Sequence, residues 1–590
     1  MRQTIVLEDR DKAGRLSLEL EMFAGQPVLR YRTVWQNRGP NPVWAQTADP
    51  LPWSLEIPDE SVRVFRVNQW ANHGRDANFE PTATTLRAGS LPVNMVTGAY
   101  GRQCTWLAVR DSRDEGLFLG WEFDGRMDVS IFKSPALQIS SSIRELNREI
   151  SPNGSFPVPA AFIGLFGGDW DEAGYRTQRF VEAAVAQPAR DPNFPYVMWD
   201  SWGYQQNIDD VILRQNAEIA ARIGVELFVV DLGWARQIGD WRPDPRKFPN
   251  GLRPLSDYVH SLGMRFGIHF PFAEAAPTSP VILANRDWMS PVDYQYFNAR
   301  SLCLAHRPAR DWLIAEAIRM IDEINPDWIL TDGENMVKHC DKRTHTHDPA
   351  DSNYANAVDG INFVVSAIQQ RRPNVRWENC QNGGNMMTYS MVRRHVTSIT
   401  SDDSGDITTR QAIFGATYPF PPRYTDRYMP HNAFHQYNTR SYMFGGPWIF
   451  MNQLPFVKPE ELDLAAREIA IYKRLRGRIR DSKVLHLSAR PSELGIDAIG
   501  AWHPPSDTAV VFVYRAQASP TSFRVRLRDL SPEKSYRIRF ENSHLTYDLT
   551  GSRIATAGIQ VPLTSMWYAE ILYVEPATPN TDPEDHSQIE

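Results

Sequence analysis

Between about residue 195 and residue 450, short apolar runs alternate with longer amphipathic stretches. Six short runs are candidate strands: Val197–Asp200, Glu226–Asp231, Met264–Phe270, Trp328–Asp332, Val375–Asn379 and Thr397–Asp402. Helical periodicity follows several of them, in Val211–Ile223, Ala309–Ile324 and Asn356–Gln370. This alternation indicates βαβ units and a parallel sheet. Two further runs, Ala416–Tyr418 and Pro447–Met451, would bring the strands to eight, so we predict a (β/α)₈ TIM barrel.

On both sides of this region, apolar and polar residues alternate in short runs, as they do in β-strands. Before it, runs such as Val28–Trp35 and Gly116–Trp121 lie between Gly, Pro and Asn clusters, which favours a β-sandwich. After it, alternation returns in Val510–Tyr514, Phe523–Leu527, Tyr536–Phe540 and Ala569–Val574. We therefore predict a multidomain α/β chain with an N-terminal β-domain at 1–186, a central barrel at 187–480, a C-terminal antiparallel β-sandwich at 481–576 and a disordered tail at 577–590.

Charge and hydropathy exclude several partners. A formal net charge of −7 gives no basic field for a phosphate backbone, so we expect no nucleic acid. No apolar run reaches the roughly 18 residues of a bilayer span, and the N-terminus lacks the apolar core of a signal peptide. The four cysteines are widely spaced and form no CxxC pair, which predicts neither a disulfide framework nor a metal site. We expect a cytoplasmic protein without cofactor or metal.

Acidic residues follow several of the predicted strands. Asp231, Asp332, Glu378 and Asp402 each stand at a strand end, and Asp403 follows the last of them. A single aspartate there is usually a turn or helix-capping residue. Because the carboxyl ends of barrel strands share one face, four such acids together favour an active site. Paired carboxylates without a metal-binding histidine cluster are typical of glycoside hydrolysis.

Four weaker patterns are each open to two interpretations. The segment from His339 to Asp348 contains His-x-His, but ligands two residues apart define no geometry, so we interpret it as a solvated loop that shapes the leaving-group side. His269 either contacts a sugar or is a hydrogen-bonded barrel histidine. Glu334 and Glu378 either orient Asp332 or bind hydroxyls. The 18 tryptophans fit both large cores and sugar stacking, so they do not discriminate.

The stretch from Phe194 to Trp288 carries a specific combination of motifs. These are Asp231-Leu232-Gly233-Trp234, Gly239-Asp240-Trp241 and Lys247-Phe248-Pro249-Asn250-Gly251-Leu252. In this combination the chain resembles glycoside hydrolase family 36, the α-galactosidase and raffinose-synthase family of the melibiase clan. The resemblance implies an N-terminal β-supersandwich, a catalytic barrel and a C-terminal β-domain. It also implies a retaining α-glycosidase that acts on oligosaccharides or glycosides, with a homo-oligomer as one option.

Carried over position by position, the resemblance assigns the nucleophile to Asp332 and the acid/base to Asp402. Asp403 takes the second role if the alignment shifts by one residue. Glycines near the ligand would let backbone N–H groups approach it closely. The predicted substrate-binding set is Asp231, Trp202, Trp234, Trp241, His269, Glu334, Cys380, Gly383, Gly384 and Asp403.

The chain departs from the family pattern at sugar-reading positions. Leu232 replaces a second acid, and Leu330 stands where a lysine precedes the nucleophile. Asn385 replaces an arginine, and the segment from His269 to Glu274 replaces a Trp-Glu-Pro-Glu-Met element. Since buried polar contacts discriminate strongly between sugars, galactose is the default and the glycone stays open. The alternatives are an α-N-acetylgalactosaminidase or another α-glycosidase, a raffinose-synthase-type transglycosylase, and a non-catalytic carbohydrate-binding protein.

Overall fold

The computed structural model describes residues 1–69, 78–99, 101–188, 191–291, 296–333, 337–384, 386–402, 405–430 and 433–577. The chain forms two compact units, Met1–Arg480 and a second that begins at Asp481. The first unit holds an N-terminal sheet and a barrel, and their predicted boundary at residue 186 stays a prediction. The predicted tail at 577–590 lies, except for Ala577, outside the described residues. No helix in the described ranges has both the length and the apolarity needed to cross a bilayer.

Eight parallel strands close into the predicted barrel. In chain order they are Val197–Asp200, Leu227–Val230, Arg265–His269, Trp328–Thr331, Arg376–Asn379, Thr397–Ile399, Thr425–Met429 and Trp448–Phe450. Each strand pairs with the next, and the eighth pairs with the first. The barrel is confirmed, but the predicted seventh strand at Ala416–Tyr418 is wrong, because a helix ends there at Ala416. The true strand was missed because it carries the buried charged pair Asp426 and Arg427, which breaks the apolar pattern.

Helices and short ribbons connect the barrel strands. Asp209 begins the first of these helices by accepting a hydrogen bond from the Ile212 N–H (2.8 Å), and Gly224, with φ of 98°, ends it in the left-handed region. The helices are Asp210–Ile223, Arg253–Ser261, Pro280–Ala284, Arg307–Ile324, Ser352–Tyr354, Ala355–Asn362 (π-helical), Phe363–Arg371, Tyr389–Val392, Asp406–Ala416, Gln436–Ser441 and Pro459–Arg480. Single 3₁₀ turns are Ser201–Tyr204, Arg286–Trp288, Pro349–Asp351, Gln381–Gly384, Pro422–Tyr424 and Leu454–Phe456. The ribbons are Ala235–Gln237 with Asp240–Pro243, and Glu274–Ala275 with Arg300–Ser301.

The N-terminal region is a β-sheet domain. Thirteen strands join in one network that is antiparallel almost throughout: Arg2–Glu8, Gly14–Met22, Val28–Asn37, Trp53–Leu55, Ser61–Gln69, Asn78–Arg87, Val93–Thr97, Gln103–Arg110, Glu115–Trp121, Met127–Ser134, Ala136–Ile143, Ser155–Pro157 and Ala161–Gly167. Val43–Ala45 and Arg148–Ile150 form a separate pair. The helix Trp170–Phe180, capped by Asp169, and the π-helical turn Val181–Val185 then lead toward the barrel.

This sheet packs directly against the barrel segments that follow the fifth and sixth strands. Its aromatic side chains, among them Trp106 and Phe162, share one core with Tyr389 and Phe414. The Phe162 and Tyr389 rings lie 5.0 Å apart, centroid to centroid. Apolar burial of this kind is worth about 25 cal/mol per Å². The sheet therefore holds in place two segments that border the carboxyl end of the barrel.

The second unit is an antiparallel β-sandwich, as predicted. One sheet contains Lys483–His486, Ile496–His503, Thr508–Arg515, Ser535–Phe540, Thr546–Thr550 and Tyr568–Pro576. The other is the pair Ser522–Val525 and Ile559–Pro562, and the helix Gly551–Thr556 accompanies them. Val511, Val525 and Val561 are fully buried in the core that the two sheets share. All four strands that the sequence indicates here are confirmed.

Candidate active site

Three predicted acids gather at the carboxyl end of the barrel. Asp231, Asp332 and Asp402 follow the second, fourth and sixth strands. The fifth strand pairs with both the fourth and the sixth. Because neighbouring strands lie about 4.8 Å apart, the fourth and sixth are about 10 Å apart. Side chains that reach inward from those two strands can therefore flank one sugar ring.

The Asp332 carboxylate is held by donors on both oxygens. Its Oδ1 accepts the Gly333 N–H (2.7 Å), and its Oδ2 accepts the Tyr296 hydroxyl (2.9 Å). The Asp332 backbone carbonyl accepts a hydrogen bond from Gln381 Nε2 (2.6 Å). Its side chain stays 23% exposed. Asp332 is thus fixed in orientation and still open to a ligand.

Asp402 is exposed and borders the turn Gln381–Gly384. The Tyr428 hydroxyl donates a hydrogen bond to its Oδ1. Burial, together with the charge of Asp402, raises the pKa of Tyr428 well above its usual range, so this hydroxyl keeps its proton. Gly383 has a φ of 56°, and a Cβ at this position would overlap the Asp402 carboxyl group. Glycine is therefore required here by both backbone conformation and space.

His269 supplies a cation between two of the acids. It is completely buried, and its Nε2 lies 3.3 Å from Asp332 Oδ2 and 3.9 Å from Asp231 Oδ1. Burial lowers the pKa of His269, but Asp231 and Asp332 outweigh that effect and the net shift is upward. The two acids therefore favour the imidazolium form of His269 beside Asp332, and Leu330 stands two residues before that aspartate.

A second group of acids lies deeper in the barrel. Asp200, Glu378 and Asp426 are each at most 1% exposed. Burial raises the pKa of Glu378 to about 8; the charges of Asp231 and Asp332 add to this, while the hydrogen bond from Trp328 Nε1 (2.7 Å) opposes it.

The pKa values of the other two deep acids shift in the same direction. Burial and the neighbouring Asp231 raise the pKa of Asp200 well above its usual range, and burial and Glu378 do the same for Asp426. Burial therefore favours the protonated, uncharged form in all three groups.

Two of the three predicted tryptophans are buried. Trp234 and Trp241 are each 1% exposed, and their rings pack 6.1 Å apart. Trp234 Nε1 donates to the His269 carbonyl (2.8 Å), so this tryptophan holds the end of the third strand. Trp202 is partly exposed, with an edge-to-face contact of 5.6 Å to Phe297. The structure thus places Trp234 and Trp241 in the core and leaves Trp202 accessible.

The remaining predicted residues lie at strand ends, in the turn beside Asp402, or outside the described residues. Asp231 and Cys380 are largely buried at the strand ends, and Gly383 and Gly384 form the tight turn beside Asp402, with a Cβ at Gly384 blocked by the Thr400 carbonyl. Glu334 and Asp403 lie outside the described residues, as does Asn385. The interpretation of the segment from His339 to Asp348 as a solvated loop is wrong for part of it, because Cys340 and His345 are buried.

Sequence reasoning missed two tyrosines that touch the acids. Tyr428 lies in the seventh strand, which the apolar pattern did not reveal. Tyr296 lies in the long connection after the third strand, where no periodicity marks it. Gln381 stood next to the predicted Cys380 but gave no signal of its own. These contacts depend on folding distant segments together, so the local pattern could not predict them.

Comparison with known proteins gives consistent matches. The melibiase family model matches residues 175–451. Alpha-galactosidase 2 of Pediococcus pentosaceus is 24% identical over 450 residues, covering 71% of this chain and 60% of that protein. Alpha-galactosidase Mel36A of Lactobacillus acidophilus is 22% identical over 574 residues, covering 91% of this chain and 76% of that protein. This chain thus spans less than two thirds of the length of the first of these relatives.

Solved structures share the fold. The α-galactosidase from Lactobacillus brevis has a TM-score of 0.86 at 19% identity, covering 98% of this chain and 82% of that one. A variant of the glycoside hydrolase family 36 α-galactosidase AgaA from Geobacillus stearothermophilus, in complex with raffinose, has a TM-score of 0.85 at 17% identity, covering 98% and 83%. The motifs that suggested the resemblance lie within the matched region. Residues 175–451 are thus similar to the melibiase family, and the chain shares the fold of AgaA, an α-galactosidase of glycoside hydrolase family 36.

Proposed function

We propose that this chain is a retaining α-galactosidase, with Asp332 as nucleophile and Asp402 as general acid/base. The observation that carries the proposal is the convergence of two strand-end carboxylates on the turn Gln381–Gly384, each with one oxygen held by a tyrosine hydroxyl. Accessible paired acids at the carboxyl end of a barrel are the arrangement that glycoside hydrolysis needs. The curated relatives are named as α-galactosidases, which supports galactose as the sugar.

The reaction proceeds in two displacements. In the first, the Asp332 carboxylate attacks C1 of the sugar while protonated Asp402 donates its proton to the departing glycosidic oxygen. In the second, Asp402 takes a proton from water, and the resulting hydroxide attacks C1 and releases Asp332. Each displacement inverts C1, so the product keeps the α configuration. This double displacement needs carboxyl groups about 5–5.5 Å apart.

The neighbouring groups can stabilise the negative charge as it moves from Asp332 to the leaving oxygen. Tyr296 and the Gly333 N–H donate to Asp332 and orient its carboxylate toward C1. His269 offsets the negative charge of Asp231 and Asp332, a task that a lysine before the nucleophile would otherwise serve. Asp231, at the end of the second strand, is placed to accept sugar hydroxyls. The fixed donors need little reorganisation when charge moves from Asp332 to the leaving oxygen.

The substrate and setting follow from the same proposal. AgaA variants have been solved with raffinose and with stachyose, so terminal α-galactosyl groups of such oligosaccharides are the substrates we propose here. The four cysteines, all within the described residues, are free and buried, which favours a reducing, cytoplasmic setting. Homo-oligomer formation stays a prediction that only the family resemblance supports.

The sharpest test uses azide to assign the two acids. Asp402→Ala with an activated aryl α-galactoside still forms the covalent intermediate, and azide then attacks it to give the α-galactosyl azide. In Asp332→Ala, azide replaces the missing carboxylate and attacks the substrate directly, giving the β-azide. We expect turnover without azide to fall by about 10⁴-fold in each variant. Proton NMR of the products distinguishes the two anomers.

The matched control is Asp311→Asn, an exposed acid on the helix Arg307–Ile324 whose carboxylate contacts only a neighbouring arginine at 3.4 Å. Its activity should match the unaltered chain. Parallel assays with aryl α-glycosides altered at C2, C4 and C6 establish the glycone. The assignment fails if Asp332→Ala keeps substantial turnover without azide or gives the α-azide. The galactose proposal fails if another α-glycoside is hydrolysed much faster.

A further inference from the structure

Four sulfur- and nitrogen-bearing side chains meet on two connections at the carboxyl end of the barrel. Cys303, Cys340, His345 and His347 each offer one ligand atom, and these four atoms all lie within 4.8 Å of one another. The Cys340 Sγ lies 3.3 Å from His345 Nδ1, and the Cys303 Sγ lies 3.3 Å from His347 Nε2. The two cysteines and His345 are buried, and His347 is partly buried.

We propose that these four side chains form a structural zinc site. Two thiolates with two imidazoles are a ligand set that zinc takes in closed tetrahedral sites. With Zn–S of about 2.3 Å and Zn–N of about 2.0–2.1 Å, a tetrahedral ion separates sulfur from nitrogen by roughly 3.5 Å. Both sulfur–nitrogen pairs in the structure are close to that value.

The outer nitrogens of both histidines support this assignment independently. His345 Nε2 lies 2.6 Å from the Asp287 carbonyl, and His347 Nδ1 lies 3.0 Å from the Asp348 carbonyl. A carbonyl oxygen only accepts hydrogen bonds, so these outer nitrogens carry the protons. The inner nitrogens, His345 Nδ1 and His347 Nε2, then present lone pairs to the two sulfurs. Histidines that bind metals are oriented by just this type of outer hydrogen bond.

The two cysteines are free thiols, so no disulfide joins Cys303 to Cys340. Without a cation, each thiol can donate its weak S–H to the imidazole nitrogen 3.3 Å away. A divalent ion would displace both thiol protons and bind the two sulfurs and two nitrogens together.

The ion would join two segments that reach the candidate active site. Cys303 lies between the strand Arg300–Ser301 and the helix Arg307–Ile324, on the same long connection as Tyr296. The other three ligands follow the fourth strand and Asp332. All four positions are filled by protein, so the ion would be structural, with none left for substrate or water. It would hold the segment that carries Tyr296, between the third and fourth strands, against the segment that follows Asp332.

The spacing of cysteines and histidines along the sequence did not reveal this site. Only the His-x-His pair and Cys340 are neighbours in the chain, and Cys303 stands on a different connection. The expectation of a chain without metal therefore rested on an incomplete ligand set. Folding brings the fourth ligand to the other three.

The test measures metal in the full chain. Elemental analysis after removal of metal and dialysis against Zn²⁺ should give about one zinc per chain. Replacement with Co²⁺ should produce the thiolate charge-transfer and intense d–d absorption bands of a tetrahedral S₂N₂ site. Cys303→Ser and Cys340→Ser should each lower the zinc content by at least about 10-fold at limiting Zn²⁺.

Two control variants should keep one zinc each. His339→Ala removes an exposed histidine of the same segment that pairs with Glu145 (2.9 Å) instead. Cys104→Ala removes a buried cysteine of the N-terminal sheet. The proposal is overturned if the unaltered chain takes up no zinc above trace, or if it holds zinc that survives loss of both Cys303 and Cys340. A Cys303–Cys340 disulfide in the chain purified without an oxidant would also overturn it. Metal content separates this result from any failure of the galactosidase proposal.

Discussion

Two sets of acids occupy the same end of the barrel and differ mainly in depth. Asp332 and Asp402, which we name the rim acids, follow the ends of their strands and are accessible. Asp200, Glu378 and Asp426, the interior acids, lie within their strands and are at most 1% exposed. Burial raises the pKa of each interior acid, to about 8 for Glu378. A small difference in position along the strands thus separates accessible acids from buried acids whose pKa values are raised.

The difference explains how so many carboxyl groups can share a small volume. Burying several carboxylates together would cost a large electrostatic free energy, which protonation of the deeper groups avoids. His269 lies where the two sets meet and offsets the charge that stays. Under our proposal the rim acids carry out the chemistry, and the interior acids shape the barrel without adding charge. The comparison can be tested by changing one set while leaving the other intact.

The largest effect is expected from Gly383→Ala, which disturbs a rim acid alone. A methyl group there would overlap the Asp402 carboxyl group, so this side chain or the turn must shift. A misplacement of about 1 Å can lower turnover by about 100-fold. We therefore expect kcat/KM on an aryl α-galactoside to fall by at least about 100-fold, with the fold retained by circular dichroism.

The control Gly251→Ala separates crowding from backbone strain. Gly251 also has a positive φ, of 77°, but a Cβ there meets open space. The two variants should lose similar stability, while Gly251→Ala keeps its activity. Equal activity losses in both would mean that backbone strain, and not the Asp402 contact, is responsible.

A smaller effect is expected from His269→Gln, which removes the cation between the two sets. A charge-assisted hydrogen bond is worth about 1.5–3 kcal/mol, and at the lower end of that range we expect kcat/KM near neutral pH to fall by about 10-fold. The pKa of His269 is raised, so its charge persists above the ordinary histidine range and is lost as pH rises through that raised value. The variant should therefore lose the alkaline limb that this titration gives to the pH profile.

A second buried barrel histidine provides the matched control. Burial lowers the pKa of His395 to about 3, so it is neutral throughout the working range. It contacts the Thr331 hydroxyl at 3.3 Å and does not touch the rim acids. His395→Gln should leave the shape of the pH profile unchanged. If both variants show the same profile as the unaltered chain, His269 is not the group that sets the alkaline limb.

Much of the architecture could be predicted from local pattern. Short runs with turn residues around them identified seven of the eight barrel strands, most of which are buried and apolar, although the fifth and sixth also carry polar residues. Thr425–Met429 escaped because Asp426 and Arg427 are buried in it as polar partners of other segments. Polar burial depends on tertiary partners, which no window of neighbouring residues can supply.

In the candidate site, too, local pattern predicted some features, and others depended on tertiary contacts. Strand-end position predicted where Asp231, Asp332 and Asp402 would gather, since the barrel places all strand ends on one face. It could not predict Tyr296 or Tyr428, whose contacts with the acids join segments 36 and 26 residues apart. It also could not show that Trp234 and Trp241 are buried, since composition does not distinguish core indoles from surface indoles.

The smallest effect on activity, and a clear one on stability, is expected from Glu378→Gln. In the folded chain the pKa of Glu378 is about 8, against an ordinary value of 4.5. Between these values the unfolded state releases the proton and the folded state keeps it. The free energy of unfolding therefore falls as pH rises, by about 1.4 kcal/mol per pH unit for one such group. Glutamine has no proton to lose, so the variant should lack this dependence.

Thermal unfolding at pH 5, 6, 7 and 8 measures the difference. The melting temperature of the unaltered chain should fall more steeply over this range than that of Glu378→Gln, while kcat stays within about 3-fold because the group is already neutral. Glu218→Gln, an exposed glutamate that accepts a hydrogen bond from Tyr258, should follow the unaltered chain. If Glu378→Gln keeps the full pH dependence, Glu378 is ionised in the fold. Burial would then not hold the proton on an interior acid, and depth would not be what separates the two sets.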